Sequence, residues 1–159
     1  MKKLYIPNNL KIEAEYVKGI SNFSLGNYTE AKLSLEWLTK NTTTAKAHEA
    51  KYTLSLILFK EDNYSSALTS IEELFKIEPK NNYWKAKGAI LKSNILYLTD
   101  KPIEAKELLE KVIKYYTVQD DGILDEANEL LTEINSAMNK PKTVIEESET
   151  EIEINEEGN

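Results

Sequence analysis

The chain has 159 residues, 41% of them hydrophobic, and a net charge of −7 in which all 20 basic residues are Lys. Without Arg there are no guanidinium forks for phosphates or guanine edges, and an acidic balance lacks the clustered cations that counterion release requires, so nucleic acid is excluded as a partner class. The absence of Cys excludes disulfides and thiolate metal sites, and the length predicts one domain with a real core.

The N-terminus begins with two lysines but lacks the apolar run of roughly 7–15 residues that a secretory signal needs. No run approaches a membrane span, so the chain as written is expected to be unexported and cytoplasmic. The first helix is predicted over 10–25, with Asn9 as its N-cap. Gly26 ends it, because a helix commonly closes with a left-handed residue. A second helix over 28–40 carries Ala31, Leu35 and Leu38 at helical spacing. After a Thr-rich loop, Thr44 is placed to cap a third helix over 45–60, whose core face is Ala47, Ala50, Leu54 and Ile57.

The fourth helix, over 64–77, carries Ala67, Ile71 and Leu74 and stops before Pro79, since the residue preceding a proline avoids helical geometry. Asn81 and Asn82 offer caps for a fifth helix over 83–98. Pro102 stands near the start of a sixth, where a missing N–H costs little, followed by Ala105, Leu108, Leu109 and Val112. Asp120 and Asp121 open a seventh helix running to Met138, apolar on one side and polar at Asp125, Glu126, Glu129 and Glu133 on the other. That pattern suits a terminal cap with one face to the core and one to water.

Beyond Asn139 the composition changes. Residues 139–159 hold seven Glu, two Lys and no aromatic residue, too little apolar surface to offset the entropy of ordering. The expectation is a disordered acidic tail. Its alternating end (Glu151 to Ile154) could add as a strand to a partner's sheet edge, against the simpler reading of a solvating tail.

One signature recurs along the helices. Gly26-Asn27-Tyr28-x-x-Ala31 returns as Asp62-Asn63-Tyr64-x-x-Ala67 and, more weakly, as Asp100-Lys101-Pro102-x-x-Ala105. A helical repeat with a period in the thirties predicts a stack of helix pairs with an extended concave surface. These residues resemble the tetratricopeptide repeat, a pair of antiparallel helices in a right-handed superhelix. The second repeat carries most of the resemblance, with Ala50, Tyr52, Leu54, Ser55, Leu58, Asp62-Asn63-Tyr64, Ala67 and Pro79 at the family spacing. The first places Glu15, Lys18 and Asn22, and the third Lys92 and Pro102, where the family prefers apolar residues. Periods of 36 and 38 between the alanines exceed the family's roughly 34, and longer turns before the third and fifth helices would absorb the difference.

The resemblance implies an all-α, right-handed α-solenoid of about three helix pairs plus a C-terminal capping helix. Its parts are an N-terminal extension (1–9), repeats at 10–44, 45–81 and 82–119, a capping helix (120–138) and the tail (139–159). Small residues Gly19, Ser55 and Ser93 would let each first helix approach Ala31, Ala67 and Ala105 on the second. The family's concave face, carried over by position, comprises Tyr16, Ile20 and Phe23, then Tyr52, Leu56 and Phe59, then Lys87, Ile90, Asn94 and Tyr97, with Glu13 and Glu49 beside them. A carboxylate clamp for chaperone tails is not expected, because its positions hold Tyr16, Ile20, Thr53, Lys87 and Leu91, of which only Lys87 fits.

The function implied is non-catalytic binding of a peptide or partner helix on this apolar and aromatic strip. The same strip also reads as ordinary inner-face packing. An alternative treats the chain as the C-terminal part of a longer bacterial repeat array with an assembly role. Leu10, Ala14 and Val17 would then form a self-associating face of the first helix, opposite Ile12, Tyr16, Ile20 and Phe23. No cofactor or metal is expected: His48 is the only His and has no partner ligands, so it reads as a surface or packing residue. Trp37 and Trp84 read as packing residues, with Trp84 near the groove edge.

Overall fold

The computed structural model describes residues 7–139, which form seven α-helices and no strand. They are α1 (Asn8–Ser24), α2 (Tyr28–Asn41), α3 (Ala45–Lys60), α4 (Tyr64–Lys76), α5 (Asn82–Leu98), α6 (Pro102–Tyr115) and α7 (Ile123–Met138). None is long and apolar enough to cross a membrane. The predicted tail falls outside the described residues, apart from Asn139.

The recurring signature is explained by three matching turns. Gly26, Asp62 and Asp100 all adopt left-handed backbone, with φ of 78°, 56° and 61°. In each turn that residue's N–H bonds back to the carbonyl of Phe23, Phe59 or Tyr97, and the next N–H reaches Asn22, Leu58 or Leu96. This pair of bonds closes a helix C-terminus by satisfying carbonyls the helix cannot. A left-handed position favours Gly and tolerates Asp, hence the Gly/Asp alternation. The following helix starts at once: the N–H groups of Ala31, Ala67 and Ala105 donate to Asn27, Asn63 and Lys101.

Caps differ from expectation at three places. Asn9 is not an N-cap, since the Lys11 N–H donates to the Pro7 carbonyl and draws Asn8 and Asn9 into the helix. Thr44 occupies the cap position of α3, but its hydroxyl lies 3.0 Å from the Thr42 hydroxyl and does not cap the helix. Asp120 and Asp121 precede α7 without belonging to it. Asp120 and Gly122 are both left-handed, so helical backbone begins only at Ile123, whose N–H donates to Asp121 Oδ1. Asn81, by contrast, accepts from the Trp84 N–H.

Each helix packs on the next, and the odd-numbered helices also touch in series, α1 to α3, α3 to α5 and α5 to α7. The core accordingly falls into three clusters in chain order. Leu35, Leu38, Ala50 and Ile57 join α2 to α3; Ala67, Ile71, Leu91 and Ile95 join α4 to α5; Ala105, Leu109, Ala127 and Ile134 join α6 to α7. Side chains such as Leu35, Ile57, Leu74 and Leu109 are wholly buried, each worth about 1.5–3 kcal/mol of transfer free energy.

At Gly19 and Ser55, two of the three small residues, paired helices approach closely. A Cβ at Gly19 would lie 3.0 Å from Leu35 Cδ2 and 3.4 Å from Ser34 Cβ. Ser55 Oγ lies 2.8 Å from Ser70 Oγ, and Ser34 and Ser70 occupy the same place in successive repeats. Gly88 has the same use between repeats, its absent Cβ leaving room for Leu74 Cδ2 at 2.9 Å. His48 is buried with its Nδ1 3.2 Å from the Thr44 carbonyl, which makes it a packing residue and removes the surface alternative.

Candidate functional site

The odd helices share a register. Ala50, Thr53 and Ile57 of α3 correspond to Gly88, Leu91 and Ile95 of α5, and all six are buried. In α7 the same places are taken by Ala127, Leu130 and Ile134. Once aligned in this way, the side chains on the neighbouring face also form rows. One row is Glu49, Lys87 and Glu126; a second is Tyr52, Ile90 and Glu129; a third is Leu56, Asn94 and Glu133.

The second and third rows line one cleft of about 330 Å³, together with Phe59, Leu91, Leu130 and Glu126. Five predicted site residues therefore meet there: Tyr52, Leu56, Phe59, Ile90 and Asn94. Ile90 and Leu91, at 4% and 6% exposure, form the floor, while Tyr52, Leu56 and Phe59 stay half-buried.

Lys87 stands beside the cleft. Its Nζ donates to Glu126 Oε2 at 2.6 Å and lies 5.6 Å from the Tyr52 ring centroid. Burial alone would lower its pKa, but the hydrogen bond to Glu126 and the neighbouring Tyr52 outweigh it and hold the ammonium above its usual value. Burial has the opposite effect on the Tyr52 phenol and pushes it up, against the opposing charge of Lys87. Trp84 extends the aromatic group, its ring 5.4 Å from Tyr52 and 5.0 Å edge-on from Tyr83.

The remaining predicted residues are not lining residues of this cleft. Ile20 and Phe23 pack half-buried on the α2/α3 cluster with Ile12. Tyr16 does the same and donates from its hydroxyl to Glu49 Oε2 at 2.9 Å; burial, then this bond, raises its pKa. Phe23 stacks on Tyr28 at 6.0 Å and Phe59 lies tilted against Tyr64 at 5.8 Å, so this aromatic pair belongs to the repeated turn. Tyr97 packs against the α6/α7 cluster.

Glu126, Glu129 and Glu133 line the cleft from α7, whose polar face the sequence alone assigns only to water. The signal for them was present in the apolar spacing of α7, which continues the register of α5. No signature follows α7, so the repeat pattern alone did not extend that far.

Two of the other clefts among the described residues are larger than this one. One of about 590 Å³ lies between α2 and α4 and over α3, with Lys32, Lys51 and Glu73 on its walls beside Leu54 and Leu58. Lys32 is paired with Glu61, and Lys51 with Glu73. The other, about 370 Å³, is bounded by Phe75, Ala89, Val112 and Tyr115. Among the described residues no three His, Cys, Asp or Glu side chains cluster in a way that would hold a metal ion. In comparisons with known proteins, no protein-family model and no curated protein matches the chain.

Proposed function

We propose that this chain is a non-catalytic protein-interaction module of the tetratricopeptide type. In this reading α1 to α6 are three helix pairs in a right-handed superhelix, α7 is its cap, and the cleft between α3, α5 and α7 lies on the concave face. The partner is a peptide or helix that seats apolar side chains on Leu56, Ile90 and Leu91. The observation that carries the reading is the shared register, through which three successive odd helices contribute equivalent positions to one cleft. An apolar floor with half-buried aromatic walls is the usual make-up of a peptide-anchoring groove.

The test is affinity capture from the source lysate with the parent chain and a Leu56→Lys variant. Leu56 is half-buried, so a lysine there can send its ammonium outward and keep the fold, which circular dichroism would verify. A partner taken by the parent and lost by the variant supports the cleft. A partner taken equally by both refutes it as the site.

A second reading rests on α1. Ala14, Val17 and Ser21 hold the register positions of Ala50, Thr53 and Ile57, yet all three are exposed, Val17 at 59% and its neighbour Leu10 at 56%. Under this reading the stripe associates with another helix and the chain acts in assembly. Sedimentation would then show concentration-dependent association that Val17→Asp abolishes. A monomer at high concentration refutes it.

A further inference from the structure

The cleft is asymmetric in charge. Its α3 and α5 sides are apolar or neutral, at Tyr52, Leu56, Ile90 and Asn94, and its α7 side is acidic. Of the three glutamates there, Glu126 is already neutralised by Lys87. Glu129 and Glu133 have no ion-pair partner among the described residues, and both are exposed. They stand one helical turn apart, where like charges repel. On the neighbouring helices, Glu13 is paired with Lys46, and Glu73 with Lys51. The two free carboxylates thus border an apolar floor and leave cationic charge to be supplied from outside.

Resting on the cleft as the binding site, we infer that its occupant is a cationic amphipathic segment of a partner protein. An apolar side chain sits on Leu56, Ile90 and Leu91, and one or two Lys or Arg side chains reach Glu129 and Glu133. Arg suits these carboxylates best, since its planar fork matches them. The same field turns away acidic peptides, phosphorylated peptides and nucleic acid. It also disfavours a second copy of this chain, whose net charge is −7. Complementary charge of this kind chiefly sets partner choice and association rate, and its effect shrinks with added salt.

The probe is a displayed library of random peptides selected on the full chain. Enriched sequences are then synthesised and titrated by fluorescence anisotropy against the parent, Glu129→Gln/Glu133→Gln and Leu56→Lys. Both glutamates are exposed and repel one another, so the double variant should keep the parent's helicity and melt no lower than it. The expected result is enrichment of peptides that combine apolar anchors with Lys or Arg. Their affinity should fall about tenfold in the double variant, as two solvent-bordering ion pairs allow, fall again at raised salt, and vanish in Leu56→Lys.

Neutral or acidic binders would overturn the inference. So would cationic binders indifferent to Glu129→Gln/Glu133→Gln but lost in Leu56→Lys, an outcome that leaves the cleft standing as the site. Binders unaffected by Leu56→Lys, or no enrichment at all, would remove the cleft reading and this inference with it.

Discussion

Gly88 and Leu74 form a close junction between successive helix pairs, and a four-variant cycle tests it. Leu74 is wholly buried, so Leu74→Ala leaves a cavity and should cost about 3 kcal/mol. Gly88→Ala sets two effects against each other. Ala in a helix interior is favoured over Gly by about 1 kcal/mol. Its Cβ, however, would lie 2.9 Å from Leu74 Cδ2 and 3.1 Å from Phe75 Cε1, and overpacking of this kind costs about 1–3 kcal/mol. In the parent the crowding wins, for a net loss of about 1 kcal/mol. In the Leu74→Ala background the nearer obstacle is gone, and the same methyl should stabilise by about 1 kcal/mol. The coupling is therefore about 2 kcal/mol, measured as the four urea-unfolding free energies followed by circular dichroism. Additivity to within about 0.5 kcal/mol, with Gly88→Ala stabilising the parent, would refute the close approach of α4 and α5.

Other consequences concern the turns and the charged groups. Gly26→Ala meets no atom within 4 Å, so its cost is that of left-handed backbone alone, about 1 kcal/mol; Asp100→Gly, at the matching turn, should stabilise, and thermal melts of both variants check the pair. Lys51, through its hydrogen bond and its charge, lowers the pKa of Glu73 from the usual 4.5. Stability from that pair is present above the usual carboxylate value and is lost as pH falls through the lowered one. Lys51→Met should therefore flatten the acid limb of a plot of urea midpoint against pH, and an unchanged limb would deny the pair any role. Burial, then a hydrogen bond donated to Asp121, raises Tyr116 from 10.0 to about 12. Its contribution is complete below pH 10 and is lost between 10 and about 12, so Tyr116→Phe should reduce the alkaline loss of stability in that window.

Local geometry was the most legible part of this chain, because a left-handed turn restricts residue type. Gly26 announced one helix end, and its recurrence as Asp62 and Asp100, with the alanines that follow, gave away the period. Helix starts were less legible. Asn9 and Thr44 are good capping residues by type, but a preceding Pro7 carbonyl and a competing Thr42 hydroxyl decide their positions. Tyr52, Leu56, Ile90 and Asn94 were legible only through the resemblance, as positions of the family's concave face, and they line one cleft. Tyr16, Ile20 and Phe23 hold equivalent places, yet they sit against the α2/α3 cluster outside the cleft. The acidic wall escaped notice because Glu129 and Glu133 look like any solvated helix face until Ala127, Leu130 and Ile134 are aligned with Gly88, Leu91 and Ile95. His48 was ambiguous in sequence because it follows Ala47 and precedes Glu49, at the junction of the apolar and polar faces of α3.

The proposal that α3, α5 and α7 form the binding face is tested most directly by hydrogen–deuterium exchange with and without a peptide selected on the full chain. Slowed exchange is expected in residues 52–59, 87–97 and 126–133, with little change around Lys32, Ser66 and Glu73 on the α2/α4 cleft. Protection centred on the α2/α4 cleft, with 52–59 and 126–133 unchanged, would contradict it.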